Sequence, residues 1–558
     1  MRAFPISRAA RPALAALALW VSALAAEALP AAAETSIRTL SLDAELDPAA
    51  AGALDPSAAD LPAGIWAGSD RAEMARLIAR LPARIKSPTL AELTRRVLAV
   101  AAPPPEGAAT VPGFAETRAA ALLRMGQADL SARLMGAVPR AARTEASDLL
   151  LMNAALLALD KSGACSVASN RRGHASATDF AKVSAFCEAL AGDRGRADLV
   201  AALLAEQEKT PDPAYYQLLD MATGAATAPG PDVARLKAPT PVHLAMMTTV
   251  NVAPKALPPL SDDPFAVASE RLIAFAPETD LALRRDAAWR TLQANAADLE
   301  ATRQLFLAVG ATAKPSKDPA AEIARLYAAA AAADPGADRA LAVARLLEAG
   351  AQQGSAFTTA ELARPILQGL LALASGPDIA GRVARGLLAA AEPRGAERWL
   401  AAIDAGHAVP GAPEAATLLR QAIALAKGQD AKPFDPAAVV RWLGAINGAQ
   451  PELAAERTAL LADLRAAIGL SVPPGLAGAA HAFKADDAVP ALSALPLETA
   501  AADGRLGEAI LRAVLLVEGE AAGKPAFRLA RAAAAFDLVG LTDEARLLAT
   551  EAALVGGL

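Results

Sequence analysis

The chain has 558 residues with a formal net charge of −6 and a pI near 5.5, a balance that leaves no dominant basic face and argues against a nucleic-acid partner. Aromatic residues make up only 4% of it, too few for the aromatic and β-branched cores of most sheet proteins. Ala, Leu, Arg and Glu predominate instead, and these are strong helix formers. An all-α chain is expected.

The N-terminus reads as an export signal. Arg2, Arg8 and Arg11 form a positive leader, and no residue from Pro12 to Ala26 is charged. That apolar run falls short of the roughly 20 residues that span a bilayer. Small residues at Ala31 and Ala33, before Glu34, suit a signal peptidase, so residues 1–33 are assigned as signal peptide with cleavage after Ala33. A site near Ala25 or Ala26, or an uncleaved anchor, are the alternatives. No Cys lies near the cleavage site and Arg8 and Arg11 are not adjacent, which speaks against lipoprotein and twin-arginine export. Mean hydropathy is positive, at +0.29, but the longest later alanine tract, Ala328 to Ala333, is bounded by Arg325 and Asp334. Apolar runs broken by charges are the mark of amphipathic helices. No stable membrane insertion is expected after cleavage, and the periplasm is the expected compartment.

Residues 34–63 read as a flexible arm, rich in Ala, Asp and Pro. Residues 64–222 form an N-terminal helical tract whose signals begin at Asp70. Within residues 223–264, seven prolines fall from Pro229 to Pro259 and predict a Pro-rich connection. Residues 265–470 form a central helical tract, and residues 471–558, opened by Pro473-Pro474-Gly475, a last set of helical hairpins. Ser87-Pro88, Asp318-Pro319 and Asp435-Pro436 each set a capping side chain before a proline at the first helical position. Leu149, Leu150, Leu156 and Leu157 share one helical face, as do Leu199 and Leu203.

A recurring unit is visible: a helix stops at a glycine and a second amphipathic helix starts almost at once. It occurs around Gly126, Gly192 and Gly540. Short links force antiparallel neighbours, and a series of such hairpins stacks into an α-solenoid. The unit resembles degenerate tetratricopeptide-like repeats, without their 34-residue period or aromatic pattern. Three segments, Ser87-Pro88-Thr89-Leu90, Phe186 to Asp193 and Pro239 to Ala245, are also similar to Ala-rich, signal-bearing helical-repeat proteins of the α-proteobacterial envelope. That resemblance implies a lineage and brings no catalytic residue.

Cys165 and Cys187 are the two cysteines. In an oxidising compartment they are a candidate disulfide, the alternative being two buried thiols. The turn around Gly173-His174 would bring their helices side by side. Catalytic chemistry is harder to find. The run Gly519 to Pro525 is one residue short of a phosphate-binding loop and has Pro525 where a hydroxyl should ligate magnesium. The four histidines, His174, His243, His407 and His481, are too scattered for a zinc-hydrolase pair, and no serine-hydrolase elbow or Ser-x-x-Lys occurs. The arginine pairs Arg95-Arg96, Arg171-Arg172 and Arg284-Arg285 are expected to solvate helix faces and pair with acids. No catalytic, cofactor or metal residue is assigned. The expected role is a periplasmic scaffold or adaptor that binds another envelope protein or peptide; the alternatives are an enzyme or accessory of peptidoglycan metabolism, and a structural spacer.

Overall fold

A computed structural model describes residues 47–558 except 172–177, 260–262, 373–375, 406–411, 431–434, 448–450, 481–488 and 520–522. The Ala33 cleavage site and the turn at Gly173-His174 lie outside the described residues. The fold is all-α: 28 α-helices with no strand among the described residues. Two isolated bridges, Leu54 with Val100 and Asp70 with Glu106, are the only sheet-like pairings found there. No helix among the described residues is long and apolar enough to cross a membrane.

Local chemistry explains where the helices begin. Ser87 caps Pro88–Ala99 by accepting from the Leu90 N–H, and Asp318 caps Pro319–Ala332 through Ala320. Asp435 accepts from the Ala437 N–H ahead of Pro436–Asn447. The hairpins close in one way. Gly126 stands between Phe114–Arg124 and Ala128–Ala137 at φ 79°, where its N–H reaches the Leu123 carbonyl and that of Gln127 reaches Leu122. A side chain there would be strained and would meet Val267 at 2.7 Å. The same pair of bonds recurs at Gly192 and Gly540.

The start of the described chain is anchored. In the stretch read as an arm, Ala49, Ala59 and Leu61 are buried, and the buried Arg118 guanidinium donates to the carbonyls of Ala51, Leu98 and Val100 at 2.6–3.0 Å. The Pro-rich connection is helical in two places, Pro231–Arg235 and Pro241–Thr249, the second packed on Glu145–Leu157 and Pro213–Ala222. One expected face differs. In Arg194–Gln207 it is Ala197 and Leu204 that are buried, while Leu199 and Leu203 are more than half exposed. The helix rests on its neighbour through a narrow stripe one residue away from the predicted one.

From Ala266–Phe275 to Ala412–Lys427 each helix packs on the next, and some also on the next but one, as Ala337–Gln352 does on Pro377–Ala389. Early and late helices also pack on each other. Leu506–Glu518 packs on both Arg71–Ala79 and Pro88–Ala99. Thr542–Val555 touches Pro88–Ala99 and also rests on Pro377–Ala389, Ala412–Lys427 and Pro451–Ala467. The apolar core follows the same path. One cluster of buried side chains runs from Ala49 to Val252 and resumes from Leu418 to Leu558. A second joins Leu123, Ala128, Ala154 and Leu157 to the stretch from Leu244 to Ile423.

Candidate functional site

The seam between early and late helices is built mainly from carboxylates on the late ones. Glu551 accepts from Ser87 Oγ and Thr89 Oγ1, both at 2.5 Å, and from the Thr89 N–H at 3.2 Å. Glu518 accepts from the N–H groups of Lys86 and Ser87, both at 2.9 Å. Thr89 is in the first turn of Pro88–Ala99 and Lys86 and Ser87 stand just ahead of it, at the helix end where negative charge is favoured. Burial pushes the Glu551 carboxyl up to about 7, against the pull of the Ser87 and Thr89 hydrogen bonds and assisted by the nearby Glu518. Arg96 adds an ion pair to Glu544 at 2.6 Å, and Arg512 one to Glu73 at 3.0 Å. Just before Ser87, Arg84 pairs with the fully buried Glu270 at 2.7 Å, and Ile85 O accepts from Asn295 at 2.6 Å. Residues 84–89 therefore meet central and late helices at once.

A groove opens beside this seam. Its first cavity, about 390 Å³, lies between Pro88–Ala99, Ala356–Gln368 and Thr542–Val555, with Glu92, Arg96, Phe357, Glu361, Arg364 and Leu547 on its walls. A second cavity of about 370 Å³ is lined by Leu347, Phe357, Arg382, Arg385, Leu554 and Val555. Phe357 and Ala389 belong to both walls. The second cavity owes its shape to Gly386, where an added Cβ would meet Leu347 at 2.3 Å; glycine lets Ala337–Gln352 approach.

The charges of the groove fall into two groups. Most are matched: Arg95 with Glu92 at 2.8 Å, Arg364 with Glu361 at 2.5 Å, and Arg382 with Glu348 at 2.5 Å. Burial raises the Glu361 carboxyl while Arg364 and Arg303 oppose it. Arg385 is different. It is partly buried and makes no ion pair or hydrogen bond among the described residues, and burial followed by the charge of Arg457 lowers its pKa. Arg364 Nε and Arg96 Nε are buried donors without an acceptor there as well.

The residues singled out in the sequence lie elsewhere or have structural partners. Cys165 in Lys161–Asn170 is bonded to Cys187 in Thr178–Leu190, with Cα atoms 5.7 Å apart. Beside it sits a polar cluster in which Lys182 reaches Asp212 at 2.9 Å and Glu208 at 3.1 Å. His243 Nε2 lies 3.1 Å from Asp212 Oδ2, and Thr240 Oγ1 2.8 Å from His243 Nδ1. Burial would raise the Asp212 carboxyl, yet His243 and Lys182 together hold it well below the usual carboxylate range. The cluster borders neither cavity of the groove, and it ties Thr178–Leu190 and Pro241–Thr249 to the link between Arg194–Gln207 and Pro213–Ala222. His174, His407 and His481 lie outside the described residues. Among the arginine pairs, Arg96 and Arg285 form ion pairs and Arg171 holds Asp148 at 2.7 Å. Lys524 pairs with Glu456, and Pro525 opens the next helix. Among the described residues no group of three or more His, Cys, Asp or Glu could hold a metal ion.

Comparison with family models, curated proteins and solved structures finds no match to this chain. The reading of the groove rests on its own geometry. Sequence reasoning missed Phe357, Arg385 and Glu551. The available signal for Arg385 was a lone cation between Val383-Ala384 and Leu387-Leu388, all four buried.

Proposed function

We propose that the protein is a scaffold or adaptor of the bacterial periplasm, a tetratricopeptide-like helical-repeat chain that binds another envelope protein or a peptide from it. The observation that carries this reading is the groove: two apolar cavities sharing the Phe357 wall, rimmed by matched charges. Pockets of a few hundred Å³ with a few placed polar groups are ordinary binding sites, and stacked helices offer them without a cofactor. Export follows from the N-terminal pattern ending at Ala33.

The test is site-specific photocrosslinking in the cell envelope. A photoreactive side chain at Phe357 should give a discrete adduct, and one at the exposed Leu199 should not. Equal labelling from both positions, or none from Phe357, overturns the groove as the binding surface.

A second reading, peptidoglycan chemistry, is favoured by one observation: Glu361 and Glu551 line the same cavity and burial raises both. A raised carboxyl is what a general acid needs. It ranks second because both Glu551 oxygens are occupied by Ser87 and Thr89, and Glu361 by Arg364. Release of muropeptides by the purified protein, lost in Glu361→Gln, would reverse the order.

A further inference from the structure

Resting on the scaffold reading, we propose that the cavity around Arg385 receives the C-terminal carboxylate of a bound peptide, together with an apolar last side chain. Three observations converge on it. The cavity is apolar where Leu347, Phe357, Leu554 and Val555 line it. Of its two cations, Arg382 is paired with Glu348, which also lines the cavity, whereas Arg385 makes no ion pair among the described residues. A desolvated, unneutralised guanidinium is costly, and a planar carboxylate matches its fork of donors.

The third observation distinguishes a peptide from a simple amphiphile. Beyond Phe357 lies the first cavity, whose walls carry the polar side chains of Gln127, Asn295, Glu361 and Arg364. An extended main chain offers such groups a carbonyl and an N–H at regular intervals; the alkyl chain of a fatty acid offers neither. Capture of a terminal carboxylate beside a side-chain pocket is an established way to read a peptide end.

The experiment uses fluorescein-labelled hexapeptide pools, each with a fixed last residue, prepared as free acids and as amides, and reads binding to the purified chain by anisotropy. Free-acid pools ending in Leu, Val or Phe should bind best, and amidation should weaken them about tenfold or more, the scale of one charge-assisted contact. Arg385→Gln should bring the free acids down to the amide level, and Arg385→Lys should restore part of the difference. Circular-dichroism melting confirms that both variants fold, and the acid-to-amide comparison on the unaltered chain needs no variant. Equal binding of acids and amides overturns this inference while leaving the scaffold reading in place. Binding of palmitate that depends on Arg385, with no pool bound, overturns the peptide as occupant. Failure of every pool together with absence of a Phe357 adduct removes the scaffold reading itself.

Discussion

Glu551 and Arg385 are charged groups on packed helices that touch each other, and their surroundings treat them in opposite ways. Around Glu551 the chain brings two hydroxyls and an N–H from residues more than 460 positions away. Around Arg385 it brings Leu347, Leu554 and Val555, and the acid of that cavity, Glu348, pairs with Arg382 instead. The seam uses burial of polar groups to join the first helices to the last, and it holds because both Glu551 oxygens are occupied. The adjoining cavity leaves its cation open. A polar group that stabilises a fold and a charge that waits for a ligand are told apart here by partners, since one is buried and the other partly so.

The largest effect that would break the comparison lies at the seam. Glu551→Ala leaves the Ser87 and Thr89 donors without an acceptor and opens a void, and should cost about 3 kcal/mol in denaturant unfolding. A loss under about 1 kcal/mol would mean that the seam is not held there.

Acidity gives the next. Folded Glu551 keeps its proton up to about pH 7, while the unfolded carboxyl releases it near 4.5. Between those values the folded state binds more protons, so its stability falls as pH rises, by on the order of 2 kcal/mol. Glu518, also raised by burial, acts in the same direction. Thermal melts across pH 4.5 to 7 should show this slope, and Glu551→Gln should flatten most of it.

Arg385→Met tests the other side. Removing an unneutralised, desolvated cation into apolar surroundings should raise stability by about 1 kcal/mol, read as a higher melting temperature. A fall of that size would show that Arg385 is a structural residue after all. Smallest is Arg382→Ala: its pair with Glu348 is about half exposed on both sides, and its loss should stay within about 0.5 kcal/mol in the same melts.

Much of the fold was legible because its causes are local. Ser87-Pro88 and Asp318-Pro319 start helices where the spacing says they should, and Gly126, Gly192 and Gly540 turn the hairpins. The all-α class follows from composition. The seam was not legible, since nothing in Ser87 names Glu551 as its partner at a separation of 464 residues. The Leu199–Leu203 face was misjudged for a related reason. Helical spacing shows that two leucines share a side, and only the neighbour decides which side is covered. The candidate site was the least readable part. Arg385 carries meaning through the ion pair it does not make among the described residues, and absence has no motif.

The junction at residues 84–89 has a consequence in time. A ribosome delivers Ser87 long before Glu518 or Glu551 exists as a chain segment. Until those late helices arrive, the first turn of Pro88–Ala99 must wait with its N–H groups open to water, and the faces of Arg71–Ala79 and Pro88–Ala99 that Leu506–Glu518 covers stay bare. Contacts of such long sequence separation slow assembly and extend the exposure of apolar surface. A chain joined this way depends, while young, on whatever in its surroundings keeps unfinished helices from meeting the wrong neighbour.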